Sequence, residues 1–248
     1  MVAARLTELG GEGPDLLLIH GYGSDSMAWS GMVAPLVKHR RVLAVDLPGH
    51  GKAPADVGDG RADTLARAVM EQLGDVQQPI DILGHSLGGA VALALQDIAP
   101  GSVSSLSLMA PVGFGQGVDP AFLDAYPKAD TDEALHPLLL QLVARPQLIQ
   151  PAMVSYVLAG LDRPGRRQAL ETIAGAIKTH KPLELIKDIP VHFIWGDQDR
   201  INPVAEIDDL PDTAKQHVMP GCGHMPHLEA ATKTARLLVS ERLGADRP

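Results

Sequence analysis

Gly84-His85-Ser86-Leu87-Gly88 is the stretch on which the reading of this chain turns. It spells G-x-S-x-G between an apolar run (Ile80, Ile82, Leu83) and a helix-forming one (Ala90-Val91-Ala92-Leu93-Ala94-Leu95). That context predicts a strand, a sharp turn at Ser86 and a helix beginning beneath the serine, which lifts the hydroxyl into the open at the helix N-terminus. The flanking glycines suit so tight a turn, where a side chain would collide. Ser86 is therefore a candidate nucleophile. A bare strand-to-helix turn is the alternative until a base, an acid and an oxyanion site are found in a workable order.

Outward from this stretch, short apolar runs alternate with helical patterns. Strands are predicted over residues 15–20, 41–46, 80–83, 103–109, 191–195 and 214–219, and helices over 64–73, 87–98 and 230–243. Near-continuous apolar strands separated by helices indicate a parallel sheet covered on both faces. The expected fold is thus α/β, a doubly wound and mostly parallel sheet, whose sites gather at the carboxyl ends of the strands. From about Gly115 to Lys187 the alternation stops. Helical pieces punctuated by Pro120, Pro127, Pro137, Pro146, Pro151 and Pro164 replace it. The segment is too long for a plain loop. We read a helical cap over residues 115–187, inserted before the last two strands, with residues 1–114 and 188–248 as the core. The tail over 244–248 is expected to fray.

Composition narrows the function. The 248 residues suit one large domain or two small ones, and a 45% hydrophobic content supports a sizeable core. A net charge of -9 argues against a nucleic-acid partner. The single cysteine, Cys222, excludes an internal disulfide and fits a reducing compartment. No apolar run approaches a membrane span, and the first residues lack a signal-peptide core. The expectation is a soluble cytoplasmic protein with no membrane partner. Its oligomeric state is left open.

A serine hydroxyl needs a base to take its proton, and histidine suits that task near neutral pH. Of ten histidines, His224 is the best candidate, on the glycine-bearing loop Pro220-Gly221-Cys222-Gly223-His224 between the last strand and the last helix. His227 is the rival, placed at the start of that helix. Asp197 and Asp199 follow the strand at 191–195 and compete to orient the imidazole. Asp199, further along the turn, is favoured, with Asp197 bonding turn amides. The order Ser86, Asp199, His224 is workable. His20-Gly21-Tyr22-Gly23 supplies an oxyanion loop, with the backbone N–H groups of Tyr22 and Leu87 as donors. It has neither G-x-G-x-x-G nor a Lys-Ser/Thr ending, so phosphate cradling is disfavoured. His224 and His227 stand three apart without further ligand types near them in sequence, so neither metal nor cofactor is expected.

These pieces resemble the α/β-hydrolase superfamily over nearly the whole chain outside residues 115–187. The shared motifs are His20-Gly21-Tyr22-Gly23, Val45-Asp46-Leu47-Pro48-Gly49-His50-Gly51, Gly84-His85-Ser86-Leu87-Gly88-Gly89, Trp195-Gly196-Asp197-Gln198-Asp199 and Gly223-His224-Met225-Pro226. The resemblance assigns the acid to Asp199 and a structural part to the loop holding Asp46 and His50. The stretches at 45–52, 56–60 and 84–95 are similar to the hydrolase-like domain of the acetyltransferase component of acetoin dehydrogenase complexes. That likeness implies a tie to a multienzyme complex. Such proteins carry an N-terminal lipoyl domain, and this chain starts directly at the hydrolase-like part.

Hydrolysis of an ester, thioester or activated carbonyl of a small acyl substrate through an acyl-enzyme is the leading expectation. Acyl transfer to lipoamide or coenzyme A comes second. Carbon–carbon bond hydrolysis, or a small-ligand binding protein that retains the triad, follows. Met153, Tyr156 and Val157 are candidate substrate contacts, with Leu161, Leu138, Leu139 and Leu142, against the alternative that they pack the cap's own helices. For the adjacent Arg166 and Arg167, a solvated helix face is preferred over binding an acidic substrate group.

Overall fold

A computed structural model describes residues 1–74, 79–180, 188–204 and 212–240. Its sheet has seven strands: β1 (Arg5–Gly10), β2 (Asp15–Ile19), β3 (Arg41–Asp46), β4 (Ile80–His85), β5 (Val103–Met109), β6 (Val191–Gly196) and β7 (Ala214–Met219). Their spatial order is β1-β3-β2-β4-β5-β6-β7, with β1 antiparallel to β3 and every other pair parallel. The central strands are apolar on both faces because both faces are covered. Leu17 and Ile19 of β2 join one core cluster, while Leu16 and Leu18 join the other. Helices α2 (Ala62–Leu73) and α3 (Leu87–Ile98) feed the first cluster. Helices α1 (Ser30–Leu36) and α9 (Ala231–Ser240) feed the second.

The predicted strands appear within a residue or two of their expected ends. The first strand, β1, was not foreseen. Its sequence is mostly polar and it sits half-exposed on the sheet edge, so it carries neither an apolar run nor a clean alternation. Pairing to β3 and the Arg41–Glu8 ion pair, at 2.8 Å, hold it there. The helix expected over 230–243 is found as α9, preceded by a separate short helix, α8 (Pro226–Glu229); residues 241–243 and the tail at 244–248 lie outside the described residues.

Between β5 and β6 the described chain holds helices and no strand: α4 (Pro120–Ala125), α5 (Asp132–Gln141), α6 (Pro151–Leu161) and α7 (Arg166–Lys178). Residues 181–187 fall outside the description. Prolines begin α4 and α6, where the missing N–H costs nothing. These helices share a small core of their own, including Phe122, Tyr126, Leu135, Leu139, Val154 and Leu170. Helix α7 is two-faced, since its Ala169, Ile173, Ala174 and Ile177 pack into the sheet-side cluster. No helix among the described residues is long and apolar enough to cross a membrane.

Candidate active site

Strand β2 is the point where the winding reverses, with β3 on one side and β4 on the other. Loops leaving adjacent strands there diverge and open a crevice at the carboxyl ends. Ile19 pairs with Gly84, so the loop at residues 20–23 and the turn at Ser86 leave the sheet side by side.

Ser86 has φ 52° and ψ −114°, a left-handed conformation rare for a residue with a side chain. Surrounding bonds over-determine it. Its N–H donates to the Met109 carbonyl at 2.8 Å, and its carbonyl accepts from Gly89 and Val112 at 2.9 and 3.0 Å. A Cβ on Gly84 would strike the Gly88 carbonyl, and one on Gly88 would strike that of Ile19, so backbone packs on backbone around the turn. A Cβ on Gly21 would stand 2.7 Å from the His85 ring and 3.1 Å from the Ser86 Cβ, which sets the loop at residues 20–23 against the serine. Leu87 opens α3, and its amide is one of the helix's first N–H groups, which have no intrahelical partner.

Asp199 and His224 leave the ends of the neighbouring strands β6 and β7, and their side chains meet. His224 Nδ1 lies 2.7 Å from Asp199 Oδ2, with both groups buried. The other carboxylate oxygen, Oδ1, accepts from the amides of Ile201 and Asn202, both at 2.9 Å. Asp197, exposed, accepts from the Gly221 amide at 2.7 Å, the turn-stabilising part expected of it. Ser86, His224 and Tyr22 all line one cavity of about 610 Å³.

Four neighbours hold these groups in place; of these, only His50 lies in a loop to which the resemblance assigned a structural part. The second residue of the serine motif, His85, places its Nε2 2.8 Å from the His224 carbonyl. Burial, first, and the nearby His227 and His224 hold its pKa well below the ordinary value, so it is a neutral ring that donates through Nε2. His50 Nε2 accepts from the Gly23 amide at 3.1 Å while its Nδ1 donates to the Pro48 carbonyl, which steadies the loop at residues 20–23. Asn202 donates through Nδ2 to the carbonyls of Ala110 and Pro111 and accepts from the Gly117 amide. Glu229, its carboxylate wholly buried, accepts from Gly223 on the His224 loop and from Ala144 and Arg145 after α5. Apart from the His50–Pro48 and Glu229–Gly223 bonds, these contacts join residues distant in sequence, so no local pattern marks them.

His227 lies in the first turn of α8. It is buried between Trp29 and His85, with ring centroids 4.8 and 4.6 Å away, and burial followed by the charge of His224 pushes its pKa down to about 3. Asp46 accepts from the Ser26 and Lys52 amides at 2.8 Å each; burial pushes its pKa up, but these bonds prevail and the net shift is downward. Cys222 is buried in the core cluster with α1 and α9.

Met153, Tyr156 and Val157 line the cavity, as do Leu139, Leu142 and Leu161; Leu138 packs in the helical segment instead. The Tyr156 hydroxyl donates to Asp25 at 2.6 Å, and burial together with that bond raises its pKa to about 12. Arg166 corrects the sequence expectation. It is only 6% exposed and lines the cavity, because α7 folds its first turn against Gly51; Arg167 bonds the Pro127 and Ala129 carbonyls instead. No cluster of three His, Cys, Asp or Glu able to hold a metal occurs among the described residues.

Residues 16–237 match the alpha/beta hydrolase family. The dihydrolipoyllysine-residue acetyltransferase component of the acetoin cleaving system of Pseudomonas putida is 34% identical over 95% of this chain. The chain spans 65% of that relative's length, and 66% of the corresponding protein of Cupriavidus necator. The pimeloyl-[acyl-carrier protein] methyl ester esterase of Methylococcus capsulatus is 31% identical, covering 93% of this chain and 95% of its own. A meta-cleavage product hydrolase of Pseudomonas fluorescens IP01 superposes with TM-score 0.83 at 22% identity, over 96% of this chain and 93% of the other, a likeness of fold. With its sheet order, its serine turn and this match over most of its length, the chain belongs to the alpha/beta hydrolase family.

Proposed function

We propose that the protein is a serine hydrolase acting on an ester or thioester of a small acyl group. The observation that carries the reading is the buried Asp199–His224 contact of 2.7 Å opening on the same cavity as the strained Ser86. Asp199 keeps the proton on Nδ1 of His224, which leaves Nε2 free as the base. Ser86 Oγ attacks the carbonyl carbon as its proton passes to His224. The oxyanion that forms is met by the N–H groups of Tyr22 and Leu87; removing one such donor typically costs about 2.7–4 kcal/mol of transition-state stabilisation. Collapse expels the alcohol or thiol, protonated by His224. Water, deprotonated by the same imidazole, then attacks the acyl-enzyme and releases the acid and Ser86.

Residues 115–187 act as a cap over a core of residues 1–114 and 188–248. Cap residues Met153, Tyr156 and Val157 shape the acyl site. A fluorophosphonate probe tests the nucleophile: it labels the wild type and not Ser86→Ala, and labelling of the variant, or none of the wild type, defeats the assignment. A panel of p-nitrophenyl esters of increasing chain length then gauges the pocket. The likeness to the acetoin-system component favours a second reading, acyl transfer. It requires added dihydrolipoamide to accept the acyl group faster than water does.

A further inference from the structure

The cavity has one wall unlike the rest. Most of its lining is apolar, but where α7 meets the loop after β3 three cations come together: Lys52, Arg163 and Arg166. Among the described residues none of the three forms an ion pair. Arg163 and Arg166 both donate to a single acceptor, the Gly51 carbonyl, Arg166 through Nη2 at 2.9 Å. That leaves Arg166 Nη1 buried with no hydrogen-bond partner.

The nearby carboxylates are engaged elsewhere. Asp46 accepts two amides, one on each oxygen, and Asp25 accepts the Met27 amide and the Tyr156 hydroxyl. A buried guanidinium remains charged, and an unmet donor on it is costly. Burial, and then the Arg163 charge, work against the Arg166 cation; Asp46 and Asp25 offset them only in part. The missing group is an anionic oxygen that fits beside a planar guanidinium, and a carboxylate meets that description.

We infer that Arg166, supported by Arg163 and Lys52, is a carboxylate-binding subsite of the cavity, and that the substrates are esters or thioesters bearing a carboxylate remote from the scissile carbonyl. The inference rests on the hydrolase reading for the reaction, though not for the binding. A neutral acyl chain would bring no counter-charge to these three cations, whereas an ω-carboxylate would supply one to the wall that Arg166, Arg163 and Lys52 form.

Monomethyl and dimethyl esters of glutarate, adipate and suberate form pairs of equal chain length in which a second methyl ester removes that charge, and turnover is counted per ester group. Binding to Ser86→Ala is measured by calorimetry and turnover by the wild type. For at least one chain length the monomethyl ester binds Ser86→Ala, and is turned over by the wild type in kcat/KM, about 10–100-fold better than its dimethyl partner. In Arg166→Gln the preference disappears because the monomethyl ester loses more than its dimethyl partner; Arg166→Lys restores part of it, since it keeps a charge without the fork. Equal affinity for both members of every pair overturns the subsite, whatever the turnover. A preference that survives Arg166→Gln, or a loss shared equally by both esters, overturns the assignment to Arg166. If the preference is present in binding but no ester is hydrolysed and Ser86 is not labelled, the subsite stands and the hydrolase reading fails.

Discussion

Acidification below pH 6.5 should destabilise the fold through His227, and the size of the effect follows from its burial. The side chain is 1% exposed, wedged between Trp29 and His85, with Nδ1 3.2 Å from the Met109 sulfur. Its pKa falls from 6.5 to about 3 on folding, chiefly through burial. The folded value lies below the unfolded one, so protons bind preferentially to the unfolded chain. The stability is present in full above about pH 6.5 and is lost as pH falls toward 3. At pH 5 the loss is about 1.5 pH units of differential binding, or roughly 2 kcal/mol at ~1.36 kcal/mol per unit. This figure holds for any folded value below about 4, because the folded imidazole is then still neutral at pH 5. His50 and His85, also held well below their ordinary values by burial, add losses of the same sign. A difference measurement removes them. His227→Phe keeps a ring between Trp29 and His85 but cannot titrate. Guanidinium unfolding followed by fluorescence of the fully buried Trp29 and Trp195 gives the stability of both proteins at pH 7 and pH 5. The variant should lose about 2 kcal/mol less than the wild type between the two. Losses equal to within about 0.5 kcal/mol would mean that His227 takes up a proton in the folded protein, and the burial argument would be refuted.

Three substitutions examine the proposed acid and its surroundings. Asp199→Asn leaves the two amide bonds to Oδ1 possible but places an amide where His224 needs an acceptor; kcat should fall by about 10³–10⁴, as carboxylate-to-amide changes do in such triads, while Asp197→Asn on the exposed turn stays within about tenfold. Similar losses for the two would reassign the acid. Glu229→Ala strips the acceptor from the amides of Gly223, Ala144 and Arg145; with water entering the vacated space the cost is about 3 kcal/mol, a fall of roughly 6–12 °C in melting temperature. A melting temperature within a degree or two of wild type, measured by calorimetry, would show those amides re-paired at no cost.

The elements that could be read in the sequence are those whose signal is local. Strand β4 announces itself because Ile80, Ile82 and Leu83 are buried on both faces, and Ser86 because the turn demands glycines on both sides of it. Strand β1 could not be read, since an edge strand with one solvated side needs no apolar run. Asp199 and His224 were legible as turn residues at strand ends, in positions matching a known pattern. Their 2.7 Å contact was not, because it depends on β6 lying beside β7. Arg166 was misjudged for a related reason. Adjacent charges on a helix look solvated, and only the packing of α7 on the loop at Gly49 and Gly51, where a Cβ on Gly49 would stand 3.1 Å from Ala169, reveals a buried guanidinium.

The helical segment between β5 and β6 is tied to the loops that carry the proposed reacting groups through side chain after side chain. The Tyr22 hydroxyl donates to the Leu170 carbonyl of α7, and the Tyr126 hydroxyl to the Gly23 carbonyl at 2.9 Å, so the Tyr22-Gly23 end of the loop at residues 20–23 is held by two bonds to the helical segment. Tyr156 reaches Asp25 from α6. Glu229 joins the residue before His224 to the amides of Ala144 and Arg145, and a Cβ on Gly223 would stand 2.8 Å from the Ala144 nitrogen, so these backbones touch. The tyrosine hydroxyls and the Glu229 carboxylate are polar groups in wholly or partly apolar surroundings, where a lost partner costs more than a lost contact between apolar side chains of the same size. A substitution that shifts these helices therefore moves the proposed oxyanion donor Tyr22 or the proposed base His224 as well as the pocket wall. Changes confined to cavity-facing atoms, such as those of Met153 and Val157, alter the wall without pulling on either loop. Substrate preference and catalytic rate can vary separately at those positions, and must vary together at Tyr22, Tyr126 and Glu229.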